Sequence, residues 1–240
     1  RKEKNGLTDD FIITLCEDDK SRIWIGTSNY VNVFNKKDSS FTLRLSAPSN
    51  DSLNFTPPYP NNLVSQMYYL NAAVGNEVLY RKELTPQELL AYILRVKEAL
   101  KELHIPVGYV DAYYEFSHRP RITEACDVIL ANCYPYWEGC PQEYALNHMR
   151  EMYGQAAAAG NGKRVIITET GWPSEGGSLG GAVSSAENAM RYFINAQAWS
   201  AKDDIEMFYF SSFDESWKVG AEGDVGAYWG LWDKDEKIKF

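Results

Sequence analysis

The amino-acid sequence predicts an α/β chain: a TIM-type (β/α)8 barrel, present in part, behind a small antiparallel β segment. Three observations lead there. From Leu70 onward, apolar runs of strand length alternate with helical patterns opened by capping residues. Two of these runs, Leu70-Asn-Ala-Ala-Val-Gly-Asn-Glu77 and Arg164-Val-Ile-Ile-Thr-Glu-Thr-Gly-Trp-Pro-Ser174, end abruptly in a glutamate. A barrel strand delivers a carboxylate to its C-terminal tip in this way. Residues 1–54 follow another rule, with short β-favouring runs between polar turns and no convincing capped helix.

In the N-terminal piece, residues 11–15, 23–25, 31–34 and 41–45 are the β-favouring runs, and Glu17-Asp-Asp-Lys-Ser21 and Asn35-Lys-Lys-Asp-Ser39 are turns between them. Strands this short, joined this tightly, make a meander resembling one propeller blade. Residues 55–69, with Pro57, Pro58 and Pro60, read as a linker or a remnant of a preceding helix and loop. Thr85-Pro-Gln-Glu88 is a capping box with proline at the first helical position. Leu89, Ile93, Val96, Leu100 and Leu103 then follow helical spacing until Pro106. Residues 107–113 and 127–134 read as strands with a short helical piece near 122–125 between them. A helix over about 141–159 is ended by Gly160, and residues 164–168 are the next buried strand. Ser184-Ser-Ala-Glu187 opens a further helix carrying Met190, Phe193, Ile194 and Ala198 on one face, and residues 205–210 are the last strand.

Composition narrows the functional classes. In 240 residues, 45% hydrophobic content with 14% aromatic suffices for a core, which excludes a disordered chain. A net charge of −9 argues against nucleic acid, whose phosphates need clustered Lys and Arg. An uncharged partner fits better, and 16 Tyr with 7 Trp suit stacking on sugar rings as well as ordinary core packing. No apolar stretch approaches the roughly 20 residues of a membrane-spanning helix. Cys16, Cys126, Cys133 and Cys140 are expected as buried or free thiols, with a Cys133–Cys140 bridge as the alternative. His104, His118 and His148 lack metal-ligand spacing and are expected at helix ends or on the surface, so neither metal nor cofactor is expected.

Two carboxylates on separate strand tips are what cleavage of a glycosidic bond requires. In a retaining reaction one protonates the leaving oxygen while the other attacks the anomeric carbon, at a separation of roughly 5–5.5 Å. Glu77 and Glu169 are the expected pair, and Asn76 is suited to hydrogen-bond a sugar 2-hydroxyl.

The strings Val74-Gly-Asn-Glu77 and Thr168-Glu-Thr-Gly-Trp-Pro-Ser174 closely resemble the signatures of family 17 glycoside hydrolases, the β-1,3-glucan endohydrolases and glucosyltransferases. Asn132-Cys-Tyr-Pro-Tyr136, Phe213-Asp-Glu-Ser-Trp-Lys218, and Glu222 followed by Trp229-Gly-Leu-Trp-Asp233 extend the likeness over residues 70–240. The resemblance implies Glu77 as acid/base on the fourth strand and Glu169 as nucleophile on the seventh. It implies that Asn76, Asn132, Tyr134, Glu215, Lys218 and Glu222 line glucan subsites. Trp172 either stacks on sugar or packs the loop after the nucleophile, and Asp214 with Lys218 offers an ordinary ion-pair alternative at Glu215. Separately, Asn5-Gly-Leu-Thr-Asp-Asp10, Glu17-Asp-Asp19 and Arg22-Ile-Trp-Ile-Gly-Thr27 resemble the propeller repeat of two-component regulators, and residues 50–54 resemble the start of another repeat.

With Glu77 on strand four, three strand–helix units belong ahead of it, yet residues 1–69 do not read as such units. The barrel is therefore expected to comprise strands four to eight, with an open edge that invites self-association. The expectation is a retaining β-1,3-glucan hydrolase or glucosyltransferase domain over 70–240, acting on glucan oligo- or polysaccharide in the periplasm or outside the cell. Its rival is a noncatalytic glucan-binding or sensing protein.

Overall fold

The computed structural model describes residues 12–17, 22–27, 30–35, 37, 40–46, 67–68, 71–220 and 222–240. The turn at 18–21, the three prolines of 57–60 and the repeat start at 50–54 lie outside the described residues. Strands β1 (Ile12–Glu17), β2 (Arg22–Thr27), β3 (Tyr30–Asn35) and β4 (Ser40–Ser46) form an antiparallel sheet in sequence order, with Trp24 opposite both Cys16 and Val33. The short runs and polar turns of the sequence anticipate this meander.

The second sheet contains β5 (Met67–Tyr68), β6 (Asn71–Asn76), β7 (Val107–Ala112), β8 (Val128–Asn132), β9 (Val165–Thr170) and β10 (Met207–Tyr209), in the order β10-β9-β8-β7-β6-β5. Strands β6 to β10 are the parallel, helix-alternating part, as in a partial (β/α)8 barrel. Strand β5 runs antiparallel to β6, so residues 67–68 belong to the sheet instead of to a linker.

The chain divides into two compact units: Arg1–Val110 with Ala125–Val128, and Asp111–Glu124 with Ile129–Phe240. In the first unit, Thr85 caps α1 (Pro86–Leu100) in the expected box, its side chain accepting from the Glu88 amide while the Glu88 carboxylate takes the Thr85 N–H. The helix buries Leu89, Ile93 and Leu100, each stabilising by about 1.5–3 kcal/mol relative to exposure. Val96 is only half-buried. A 3-10 turn (Lys101–Leu103) follows, and His104 at φ 54° takes the left-handed position before Pro106. Lys97 reaches the Ala125 carbonyl at 2.8 Å and Asp127 Oδ1 at 2.6 Å, while Asp127 Oδ2 accepts the Val107 amide at 3.1 Å. One aspartate thus ties a helix side chain to the start of a strand.

In the second unit, α2 (Glu115–His118) and α3 (Pro120–Ala125) follow β7, α4 (Gln142–Gly160) follows β8, and α5 (Ala186–Asp203) follows β9. Ile129, Leu130, Ile166 and Ile167 on the strands and Met149, Met152 and Ala156 on α4 are all buried. The terminus of α4 departs from expectation in a small way. Gly160 is its last helical residue, and Asn161 at φ 50° holds the left-handed cap. Gly160 is small for another reason: a Cβ there would lie 2.9 Å from Ile129 Cγ1.

Two readings of α5 are corrected. Its N-cap is Ser185, accepting from the Asn188 amide at 3.1 Å, whereas Ser184 donates to the Gly176 and Gly177 carbonyls. Two adjacent serines left the register ambiguous by one residue. Its buried face is Ala189, Tyr192, Ala196 and Trp199, with Ile194 and Ala198 exposed. Small residues let the helix approach closely, so the larger Met190, Phe193 and Ile194 are displaced to a shallow cavity of about 290 Å³ shared with Leu231, Trp232, Ile238 and Phe240. Cys126, Cys133 and Cys140 are free thiols, so the Cys133–Cys140 bridge is absent.

Candidate active site

Glu77 belongs to the first unit and follows directly on β6. Gly75 at φ 81° and Glu77 at φ 54° interrupt the strand geometry, and the β6–β7 register shifts between Ala73 and Asn76. The Val-Gly-Asn-Glu string is a backbone kink in which glycine supplies a left-handed step. The Glu77 amide donates to the Val110 carbonyl at 2.8 Å, which fixes the kink to β7. Arg81 Nη1 donates to Glu77 Oε2 at 3.3 Å, its Nη2 donates to the Asn76 carbonyl, and its Nε donates to Glu83 Oε1 at 2.8 Å. Asn76 and Glu77 are both half-buried. The sequence reading missed Arg81, although its i+4 spacing from Glu77 was a legible signal.

Glu169, in the second unit, is the half-buried penultimate residue of β9, with buried neighbours Thr168 and Thr170. It pairs in register with Asn132 at the end of β8. The Glu169 carbonyl accepts the Cys133 amide at 2.9 Å, and the Tyr134 hydroxyl donates to Glu169 Oε2 at 2.9 Å. The buried Thr168 hydroxyl donates to Asn132 Oδ1 at 2.7 Å. Asn132, Tyr134 and Glu169, named separately from the sequence, therefore lie together at two adjacent strand ends, Tyr134 bonded to Glu169 and Asn132 to its neighbour Thr168.

A second group lies beyond β10. Lys218 Nζ meets Glu215 Oε2 at 2.7 Å and lies 4.3 Å from the centroid of the Phe210 ring. Phe210 in turn meets Tyr134 edge-on, with ring centroids 6.4 Å apart. Glu215 and Lys218 are thus linked through Phe210 to the tyrosine that holds Glu169, and the sequence reading did not name Phe210. Asp214 is not Lys218's partner; it pairs with Lys239 at 2.7 Å and accepts the Gly230 amide at 2.9 Å. Glu222 lies beside Gly226, where a Cβ would come 2.9 Å from Glu222 Cβ.

Trp172 packs, one of the two roles that the sequence left open. It is 1% exposed, its indole N–H donates to the Val183 carbonyl at 2.9 Å, and its ring meets Tyr136 and Tyr192. No face is left for a sugar. Gly171, just before it, passes so close to Phe210 that any Cβ would collide with the Phe210 carbonyl oxygen. The Thr-Gly-Trp-Pro string therefore encodes close strand packing and a buried anchor after the glutamate.

The surrounding polar groups are tuned by burial. Burial, and secondarily Glu138, push the Cys133 thiol well above its ordinary value, so it stays protonated. Burial likewise raises the Tyr113 phenol, with a further rise from its 2.9 Å donation to Glu138, which also meets His148 Nε2 at 2.6 Å. His148 is half-buried on α4 and His118 ends α2. Among the described residues no cluster of His, Cys, Asp and Glu is disposed to hold a metal ion, and no helix is long and apolar enough to cross a membrane.

Known proteins are similar to this chain in sequence and fold. A glucan 1,3-β-glucosidase of Candida albicans is 31% identical over 191 residues, which cover 70% of this chain and 60% of that protein. A glucan 1,3-β-glucosidase of Schizosaccharomyces pombe is 29% identical over 181 residues, covering 70% of this chain and 55% of that one. The chain thus spans about 60% of the length of such relatives. Among solved structures, the glycoside hydrolase family 17 β-1,3-glucanosyltransferase of Rhizomucor miehei matches with a TM-score of 0.64 and 37% identity, covering 69% of this chain and 60% of that chain. An active-site mutant of that enzyme, in complex with laminaritriose, gives the same TM-score of 0.64 at 36% identity and the same coverage of 69% and 60%. Residues 6–29 separately match the two-component regulator propeller. The strand-end glutamates and their neighbours fall within residues 61–230, and over that span the chain belongs to the family described as the BtgE/BtgC glycoside hydrolase domain.

Proposed function

We propose that this protein cleaves or transfers β-1,3-linked glucan with retention of configuration, using Glu77 as acid/base and Glu169 as nucleophile. The observation that carries the reading is Glu169 itself: a half-buried carboxylate at the tip of a buried strand, one oxygen held by the Tyr134 hydroxyl at 2.9 Å. A nucleophile needs a defined direction of attack, and the bond from the Tyr134 hydroxyl orients this carboxylate. The named activities of the relatives, and the laminaritriose held by the Rhizomucor miehei mutant, support glucan as the substrate.

The Glu169 oxygen forms a bond to the anomeric carbon as the bond to the leaving oxygen breaks, and Glu77 gives that oxygen its proton. The glycosyl-enzyme ester is then attacked by water, giving hydrolysis, or by a sugar hydroxyl, giving transfer. Glu77 takes the incoming proton, and the Glu169 carboxylate leaves. Asn76 and Asn132 serve the sugar hydroxyls, and Glu215, Lys218 and Glu222 bind further along the chain. Substrate and family support a location outside the cell or in the periplasm.

Azide tests the roles. With an aryl β-laminarioligosaccharide as donor, Glu169→Ala is expected to lose turnover and regain it with azide, yielding the inverted glycosyl azide. Glu77→Ala is expected to yield the retained glycosyl azide. Unchanged turnover in either variant overturns the assignment, and a well-folded protein that binds glucan without cleaving or transferring it supports the sensing alternative.

A further inference from the structure

Trp217 has the most exposed large apolar side chain among the described residues, at 71%. Single apolar side chains are common on protein surfaces, so its setting, and not its exposure alone, is what distinguishes it. It is held on a firm loop. Its neighbours Glu215 and Lys218 are joined by their side chains at 2.7 Å and by the Lys218 amide donating to the Glu215 carbonyl at 2.9 Å. Gly226 packs against the Lys218 carbonyl so closely that no side chain fits there, and Asp214, at the start of the loop, is clamped by Lys239 and by the Gly230 amide. The same loop connects inward, from Lys218 over the Phe210 ring at 4.3 Å, through Phe210 to Tyr134, and from the Tyr134 hydroxyl to Glu169. The exposed indole is therefore flanked by a polar pair suited to sugar hydroxyls, on a segment continuous with the proposed nucleophile.

We infer that Trp217 is a stacking platform for one glucose unit of a neutral glucan chain, next to the unit bound by Glu215 and Lys218. The inference rests on the glucan reading above and adds a residue that the sequence motifs did not single out. A β-glucose ring offers axial C–H groups on its faces and hydroxyls on its rim. A flat aromatic ring beside a hydrogen-bonding ion pair complements both.

The test is calorimetric titration of the whole chain with laminarihexaose. Trp217→Ala is expected to weaken binding roughly three- to tenfold, as loss of one aromatic stacking contact implies. Trp217→Phe should recover most of the affinity. Tyr144→Ala, which removes a 58% exposed aromatic on α4, should leave binding unchanged. Equal affinity for the parent and Trp217→Ala overturns the inference while leaving the glucan reading intact. A parent protein without affinity for laminarihexaose overturns both. A Trp217→Ala variant that loses thermal stability but keeps its affinity assigns the indole to packing and overturns the platform.

Discussion

A carboxylate at the end of an apolar strand must be held by something, and for Glu169 one such group is the Tyr134 hydroxyl. Tyr134→Phe keeps the ring contacts with Phe210 and Trp229 and deletes only the donor. We expect it to lower kcat on an aryl laminarioligosaccharide by roughly tenfold, the worth of one hydrogen bond to a charged group, with the melting midpoint little changed. An unaltered kcat would show that the hydroxyl does not orient the nucleophile. The strand-end positions of Glu77 and Glu169 were legible because a charged residue closing an apolar run is conspicuous. Tyr134 was legible only through the resemblance. Trp172 was not legible, because a buried anchor and a sugar platform have the same letter, and only its 1% exposure and its bond to Val183 separate them. Trp217 failed to stand out for the converse reason, since exposure is not written in the chain.

Helix α1 was readable in detail because its signals are local: cap, proline and apolar spacing lie within its own residues. The Thr85 side chain, and then its backbone amide, hold the Glu88 carboxyl below its usual value. A folded-state value below the unfolded one means that this contribution to stability is present above the unfolded value and is lost as pH falls through the folded one. Glu88→Gln should therefore destabilise the protein at neutral pH, with the gap from the parent closing in acid. Urea unfolding at pH 7 and at about pH 3 reads this directly, and a pH-independent gap would assign the effect to packing. Helix α5 was read less well because its cues are tertiary. Its buried face is chosen by how near Ala189 and Ala196 let it come to the aromatic cluster around Trp172 and Trp229, and not by its own hydrophobic maximum.

Among the described residues, sheet order leaves β10 with a single neighbour and β5 as a two-residue strand at the other end. Open edges and the apolar cavity beside Ile194 and Ile238, which are 55% and 66% exposed, favour association with other molecules. We expect light scattering to report a mass above the 27.3 kDa of one chain. A monodisperse monomer would refute this. The switch from meander to strand–helix alternation was visible in the sequence because it changes hydrophobic period. The division into compact units at Val110 was not, because it falls inside an unbroken strand. One consequence of Gly171 reaches beyond the molecule. Every missense change to a glycine codon introduces a Cβ, and at Gly171 any Cβ meets the Phe210 carbonyl. In a randomised library this position should accept almost no letter but its own, an intolerance that reports backbone crowding beside Glu169 as faithfully as chemistry would.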